Sequence, residues 1–474
     1  MTSETLTTPQ SKPVIGAALP TLGQRLRASW VYRFLLFPLG QMIVFIAGAA
    51  VLLTVLAYLV ALFFPEPRPN IILADQITKQ LPGMIISGIS IGFVYSMVAL
   101  GYTLVYGVLK FINFAHSEIF MVGSVVGFEV MQAVAAGGTI QNWNPVLLIV
   151  TVVLAAMLFS GTLAVIIERV AYRPLRGAPR LVPLITAIGI SFVLIDTTRA
   201  IMAVTRNDFN LTYPTRELSW ITTPIPVVFN GVTVGGVNIG GRIYETINAD
   251  GEEQESFNLG ERTYESYAVG GVTIGGTNFD LRQFRIGETE PDEVQIAGQP
   301  AAEVIRAGNV VNVRVTSVII VVGAVLMLLA LNYFVNGTKL GRGIRAVAQD
   351  QTTAGLMGVN VNRIISLTFF IGGAFGGAAG ALFGMNVGTV TPYVGFIPGL
   401  KAFTAAVLGG IGNITGALLG GLTLGLIESF LNGTLVYFPA LGQRYTDIFA
   451  FSVLILILIF RPSGLLGERV DEKV

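Results

Sequence analysis

The chain has no cysteine and a single histidine, His116, in 474 residues. Without thiols there are no disulfides, thiolate metal sites or cysteine nucleophiles. One histidine leaves too little material for a His-rich metal centre or a Ser-His-Asp triad. No lysine follows a glycine, so a Gly-Lys-Ser/Thr phosphate loop is absent, and ATP hydrolysis by that route with it. Charge is scarce: 12% of residues are charged and 53% apolar, against about 25% charged in soluble domains. The 29 basic and 28 acidic residues nearly cancel, which leaves no basic footprint for nucleic acid. With a mean hydropathy of +0.71, the class is an integral membrane protein with no catalytic constellation.

Long apolar runs are what the sequence has in quantity. A membrane-crossing helix needs roughly 20 apolar residues, at about 1.5 Å of rise each. The runs 42–64, 83–109, 145–167, 316–338 and 402–427 contain no charge. Run 181–205 carries Asp196 and Arg199, three apart on one helical face where they can pair. The stretch 364–400 has 37 residues without a charge, too many for one crossing, and Pro392 and Pro398 predict a break near its end. The short run 447–460 closes the series. These runs predict an all-α polytopic membrane protein of about ten transmembrane helices, with a β-rich extracytoplasmic insert.

Lysine and arginine collect in short cytoplasmic loops. Arg25, Arg27 and Arg33 precede the first run; Arg169, Arg173, Arg176 and Arg180 lie in one loop, and Lys339, Arg342, Arg345 and Arg363 in another. Both termini and these loops are therefore expected on the cytoplasmic side. The first run starts too late and is too long for a cleavable signal. The expected organisation is a tail (1–41), an extra anchoring helix (42–64), a first half-bundle (80–205), an insert (206–314), a second half-bundle (315–467) holding a cytoplasmic loop (336–363), and a tail (468–474).

The segment 207–312 breaks the pattern, with 15 of the 28 acidic residues against six arginines. Val227-Val228-Phe229, Val232-Thr233-Val234 and Val272-Thr273-Ile274 read as strands between glycines. Gly231-Val-Thr-Val-Gly-Gly236 returns 40 positions later as Gly271-Val-Thr-Ile-Gly-Gly276, a small duplication. The insert reads either as an elaborated loop or as a docking surface.

Gly372, Gly376, Gly380 and Gly384 recur every fourth residue, as do Gly412, Gly416 and Gly420. Such spacing lets helix backbones approach closely, for plain packing or for a subunit interface or sliding path. Polar residues in apolar spans are costly and become functional candidates: Asn113, His116 and Glu118, then Glu129, Asp196, Arg199, Lys401 and Glu428. His116 also reads as a satisfied interior residue at a helix start. Lys401 reads as a snorkelling side chain. Glu129 and Glu428 can pair with Lys401 or Arg199.

Gly101-Tyr-Thr-Leu-Val-Tyr-Gly107, followed by Ile112-Asn-Phe-Ala-His-Ser-Glu118, resembles the permease family of branched-chain amino acid ABC importers. So do Glu168-Arg-Val-Ala-Tyr-Arg-Pro-Leu-Arg176, Ala187-Ile-Gly-Ile-Ser191 and Gly341-Arg-Gly-Ile-Arg-Ala-Val-Ala-Gln-Asp350. Leu356-Met-Gly-Val-Asn360, Lys401-Ala-Phe-Thr-Ala-Ala-Val-Leu-Gly-Gly-Ile-Gly412 and Pro462-Ser-Gly-Leu-Leu-Gly467 complete the match. The resemblance implies one half of a translocation pore, with Asn113, His116, Glu118 and Lys401 as candidates for the path. It implies a coupling segment with Asp350, Ala354, Gly358 and Asn360, where Thr352-Thr353-Ala354 and Gly358 keep the family spacing but lack its glutamate. Expected partners are two cytoplasmic ABC ATPase subunits, a paralogous permease or second copy, an extracytoplasmic substrate-binding protein and the bilayer, with no nucleic acid. No cofactor is expected on this chain, ATP being bound by the partner subunits. A urea or short-amide importer of the same family is the alternative cargo; a self-sufficient secondary transporter using Asp196, Glu129 and Glu428 is the alternative class.

Overall fold

The computed structural model describes residues 32–65, 73–138, 140–179, 181–222, 224–228, 310–438, 442–461 and 464–466, together with short strand pieces between 236 and 300. The chain divides into two units between Val44 and Phe45. In the first, a π-helical turn, Tyr32–Leu36, leads into helix α1 (Phe37–Phe63), with the Tyr32 ring tilted 6.2 Å from Phe37.

The second unit holds the rest of α1 and a helical bundle. Its helices are α2 (Leu73–Leu109), α3 (His116–Ala136), α4 (Pro145–Ile167), α5 (Leu181–Arg206), α6 (Val315–Gly337), α7 (Lys339–Gln349), α8 (Gln351–Leu356), α9 (Val361–Val387), α10 (Phe396–Gly409), α11 (Ile414–Leu435) and α12 (Thr446–Phe460). Among the described residues, eight helices are long and apolar enough to cross a membrane, and α10 and α12 are shorter apolar helices. The chain is an all-α polytopic membrane protein. Side chains such as Val51, Leu52, Leu158, Phe192 and Leu326 stand exposed on the outside of these helices, as expected where the solvent is lipid.

Local chemistry fixes the helix ends. Asn144 caps α4 by accepting from Val146 N at 2.9 Å, with Pro145 in the first turn. Asn360 caps α9 through Arg363 N at 3.0 Å, and α9 ends at Gly388 in the left-handed conformation, φ +82°. That stop lies ahead of both prolines in the 364–400 run. The strand Thr389–Val390 follows and pairs antiparallel with Leu211–Thr212.

The run 402–427 is not one crossing. It is cut into α10 and α11 by a turn in which Gly410 and Gly412 take φ +100° and +98°, and Asn413 caps α11 through Gly416 N at 3.1 Å. Leu465 N and Leu466 N donate to the carbonyls of Leu408 and Gly409 that this break frees. Hydropathy hides the break because every residue in the turn except Asn413 is apolar or glycine. Gly412 accordingly serves a turn conformation; a Cβ there would meet nothing within 4 Å.

Helices α2 and α9 lie at the centre, packed by α3, α4, α6, α10 and α11. The α9 glycines set the spacing. Gly372 faces the Gly101 carbonyl, Gly376 the His116 ring, Gly380 the Phe120 carbonyl and Gly384 the Tyr213 ring. Gly373 and Gly377 on the adjacent face meet Ala164 and Ser160 of α4. Gly420 lies against the Ala405 carbonyl and Gly416 against Gly409. Backbones approach this closely only where no Cβ intervenes.

Within the polar segment, Ile225–Val228 pairs antiparallel with Val310–Val313, Ile225 opposite Val313 and Val228 opposite Val310. Val272–Ile274 is a strand between Ala268–Val269 and Thr277–Asn278. Phe229 and residues 231–235 of the first copy of the duplicated motif lie outside the described residues.

Candidate functional site

The string after α2 makes the site. Lys110 takes φ +57°, rare for a residue with a side chain, and turns the chain inward until α3 begins at His116. Asn113, His116, Ser117 and Glu118 are thereby all buried. Asn113 accepts a hydrogen bond from the Tyr172 hydroxyl at 2.6 Å. The His116 ring meets Tyr102 edge to face, centroids 4.8 Å apart, and packs on Gly101 and Gly376. Glu118, at 0% exposure, accepts from Ser191 of α5 at 3.0 Å and from Ser117 at 3.1 Å, both at Oε1. Asn113 Nδ2, His116 Nε2 and Glu118 Oε2 have no partner among the described residues. Buried polar atoms are normally paired, and these three exceptions fall within six consecutive residues of the chain.

Lys401 belongs to a second cluster, at 5% exposure and not at a snorkelling position. Its Nζ lies 2.8 Å from Glu428 Oε1 of α11 and 2.7 Å from Asp447 Oδ1 of α12. The Tyr95 hydroxyl donates to Glu428 Oε2 at 2.8 Å, and the Tyr95 ring lies 5.9 Å below the ammonium. Four helices thus meet on one buried charge. The remaining span carboxylates also have basic partners: Asp196 with Arg199 at 3.2 Å, and Glu129 with Arg206 at 2.5 Å.

A third cluster stands at the arginine-rich end. Glu168 opens a π-helical turn, Glu168–Tyr172, and is fully buried. Arg176 pairs with it and also donates to Asn362, while Ser366 of α9 donates to it at 2.6 Å. Burial pulls the Arg176 guanidinium below its usual value, and Glu168 opposes that shift. Sequence reading placed Glu168, Tyr172 and Arg176 in a motif but not in a site; the available signal was a carboxylate at a span's end, eight residues before an arginine.

The segment 339–363 lies beside this cluster. Asp350 caps α8, accepting from Thr352 N at 2.8 Å, Thr353 N at 3.1 Å and the Thr353 hydroxyl at 2.6 Å. Those bonds, the hydroxyl first, hold its carboxyl below the usual range. Ala354 is buried in a core shared with Ile344, Val347, Phe369 and Tyr172. Gly358, φ +84°, turns the chain toward α9. Leu356 and Met357, at 85% and 81% exposure, stand out beyond it; the sequence placed them in a motif but not in the candidate coupling set.

A central pair of glycine-lined helices, unpaired polar atoms inside an apolar bundle and a capped, protruding loop at the arginine-rich end belong to a polytopic membrane protein. A family described as branched-chain amino acid transport system / permease component matches residues 84–458, and the chain belongs to that family. It is 33% identical over 388 residues to the high-affinity branched-chain amino acid transport system permease protein LivH of Escherichia coli K12, covering 82% of this chain and 96% of the relative. It is 34% identical over 390 residues to the corresponding permease protein BraD of Pseudomonas aeruginosa, with coverage of 82% and 97%. The fructose import permease protein FrcC of Rhizobium meliloti is 36% identical over 127 residues, 25% of this chain and 35% of the relative. No solved structure matches.

Proposed function

We propose that the chain is the permease subunit of an ATP-driven ABC importer for branched-chain or other neutral amino acids, forming half of the translocation pore. The observation that carries this reading is identity to LivH and BraD along nearly their whole length. Two cytoplasmic ATPase subunits supply ATP binding and hydrolysis, since this chain has no phosphate loop. A paralogous permease or a second copy completes the pore, and a soluble binding protein delivers cargo on the other face. The complex sits in the bacterial inner membrane with both termini cytoplasmic, α10 and α12 completing about ten membrane passages and the 206–314 insert on the extracytoplasmic side.

Asn113, His116 and Glu118 line the path, and the segment around Asp350, Ala354, Gly358 and Asn360 couples it to the ATPases. ATP binding and hydrolysis shift the bundle between outward- and inward-open states, each partner favouring one of them. Against a self-sufficient ion-driven transporter, Asp196, Glu129 and Glu428 each have a basic partner. Affinity purification from native membranes tests the reading: ATPase subunits and a second permease should co-purify, and reconstituted uptake of leucine should require ATP. A solitary chain that moves solute without ATP would refute it, and uptake of urea in place of leucine would correct the cargo.

A further inference from the structure

Helix α5 is covered along one strip only. Pro183, Ala187, Thr198 and Met202 are buried, and the opposite face is open. That face begins apolar, with Ile185, Ile188 and Phe192 exposed, and then carries charge. Asp196 and Arg199 form an ion pair at 3.2 Å, their side chains 69% and 47% exposed. Arg199 also lies 5.7 Å over the ring of Tyr393, which is itself exposed. Asp196 stands about 22 Å from the Leu181 end of the helix and about 15 Å from the Arg206 end, inside a hydrocarbon core of about 30 Å. A charge at that depth is costly in lipid, and charges within spans almost always face protein or water. The outward faces of α4 and α6 show the contrast, presenting Leu154, Leu158, Val322 and Leu326. The backbone beside the pair is a second, independent sign. Helix α10 has 14 residues, about 21 Å, and ends at the turn from which the 22-residue span α11 sets out. Its first residues, and Tyr393 before them, therefore lie inside the core. Irregular backbone at that depth occurs only where protein buries it or water reaches it, and Tyr393, Phe396 and Ile397 are open on this chain.

We propose that the open face of α5, with Tyr393 at its side, lines a water-filled solute path between this chain and a second permease subunit, where Asp196 and Arg199 meet the charged groups of a zwitterionic solute. This rests on the transport reading and names the surface and the solute chemistry within it. A neutral amino acid carries an ammonium and a carboxylate on one carbon. The Asp196 carboxylate and the Arg199 guanidinium, in contact on one open face, offer the opposite signs at a similar spacing. A guanidinium takes a carboxylate through two parallel hydrogen bonds, and Ile188 and Phe192 on the same face suit an apolar side chain. An uncharged amide would gain nothing from the pair. Glu118 reaches the same helix from within the bundle through Ser191, at 3.0 Å, which ties the face to the polar cluster of α3.

The absence of native cysteine makes a clean test. Phe192→Cys and Ala200→Cys each place one thiol on the open face of α5. Leu158→Cys of α4 and Leu326→Cys of α6 place one on outward faces that meet lipid. Each variant is treated with a membrane-impermeant methanethiosulfonate from either face of membranes holding the assembled complex, with and without ATP. Thiols react as thiolates, which need water, so the α5 sites should label at least about tenfold faster than the other two in one of these conditions. Equally slow labelling at all four sites overturns the path, whether lipid or a dry protein contact covers α5. The ion pair is tested by uptake. Asp196→Asn combined with Arg199→Gln keeps the side-chain shapes and removes both charges; leucine uptake should fall at least about tenfold, with the complex recovered intact and labelling of Ala200→Cys retained. Uptake equal to that of the unaltered chain overturns the role of the pair. Fast labelling of α5 in a complex that takes up no leucine would remove the cargo and leave the water-lined face standing, whereas ATP-dependent uptake with slow labelling would remove the face and leave transport standing.

Discussion

Lys401 is a cation in an apolar interior that persists because Glu428, Asp447 and Tyr95 surround it. Breaking a buried ion pair from one side strands the other charge. Lys401→Met should therefore destabilise the purified protein by about 3 kcal/mol, read as a lowered thermal midpoint in detergent. Lys401→Met with Glu428→Gln should recover much of that loss, since no buried charge is left on α11. Asp350 gives a pH dependence with a definite sign. Its folded carboxyl titrates below the unfolded one, so the cap on α8 is complete at neutral pH and is lost as the pH falls through and below the ordinary carboxylate range. Hydrogen exchange at the Thr352 and Thr353 amides should speed up there, and Asp350→Asn, which keeps an acceptor without titrating, should suppress the acid effect.

At the scale of elements, helical glycines differ by what a Cβ would meet. A methyl at Gly380 would overlap the Phe120 carbonyl, whereas one at Gly189 of α5 would meet nothing within 4 Å. Gly380→Ala should cost about 1–3 kcal/mol through overpacking, while Gly189→Ala should be neutral or slightly stabilising; thermal midpoints of the two variants decide it. The four-residue spacing was legible in the sequence because helical periodicity puts such residues on one face. Which neighbour each glycine admits was not legible, since α2, α3, α4 and Tyr213 come from distant parts of the chain.

For the whole molecule, the insert and the loop at the arginine-rich end are separable tests. Val228 and Val310 are paired partners across a two-stranded ladder, so the chain can be closed there by a short turn. Deleting 229–309 in favour of a four-residue turn should leave the bundle folded, with a thermal midpoint within a few degrees of the full chain. Leu356 and Met357 are the protruding apolar pair on the candidate coupling segment. Replacing both with serine should leave the permease folded and reduce ATPase subunits recovered in co-purification; full recovery with coupled uptake would place the contact elsewhere.

Composition and periodicity alone determined the class and the position of most spans, because lipid imposes long charge-free runs; the family was legible as a resemblance carried by short motifs in order along the chain. The starts of α4, α9 and α11 were not marked in the sequence, although Asn144, Asn360 and Asn413 cap them by the local rule that a side-chain oxygen satisfies free amides. The break at 410–413 escaped, since a turn made of glycine and isoleucine has the hydropathy of a helix. Only the tertiary structure decided the pairings: Lys401 with Glu428 and Asp447, Glu129 with Arg206, Glu118 with Ser191, and Tyr172 with Asn113. Several acidic and basic groups of similar type were available to each. The choice among them is made by helix crossing geometry, which depends on contacts between segments up to hundreds of residues apart.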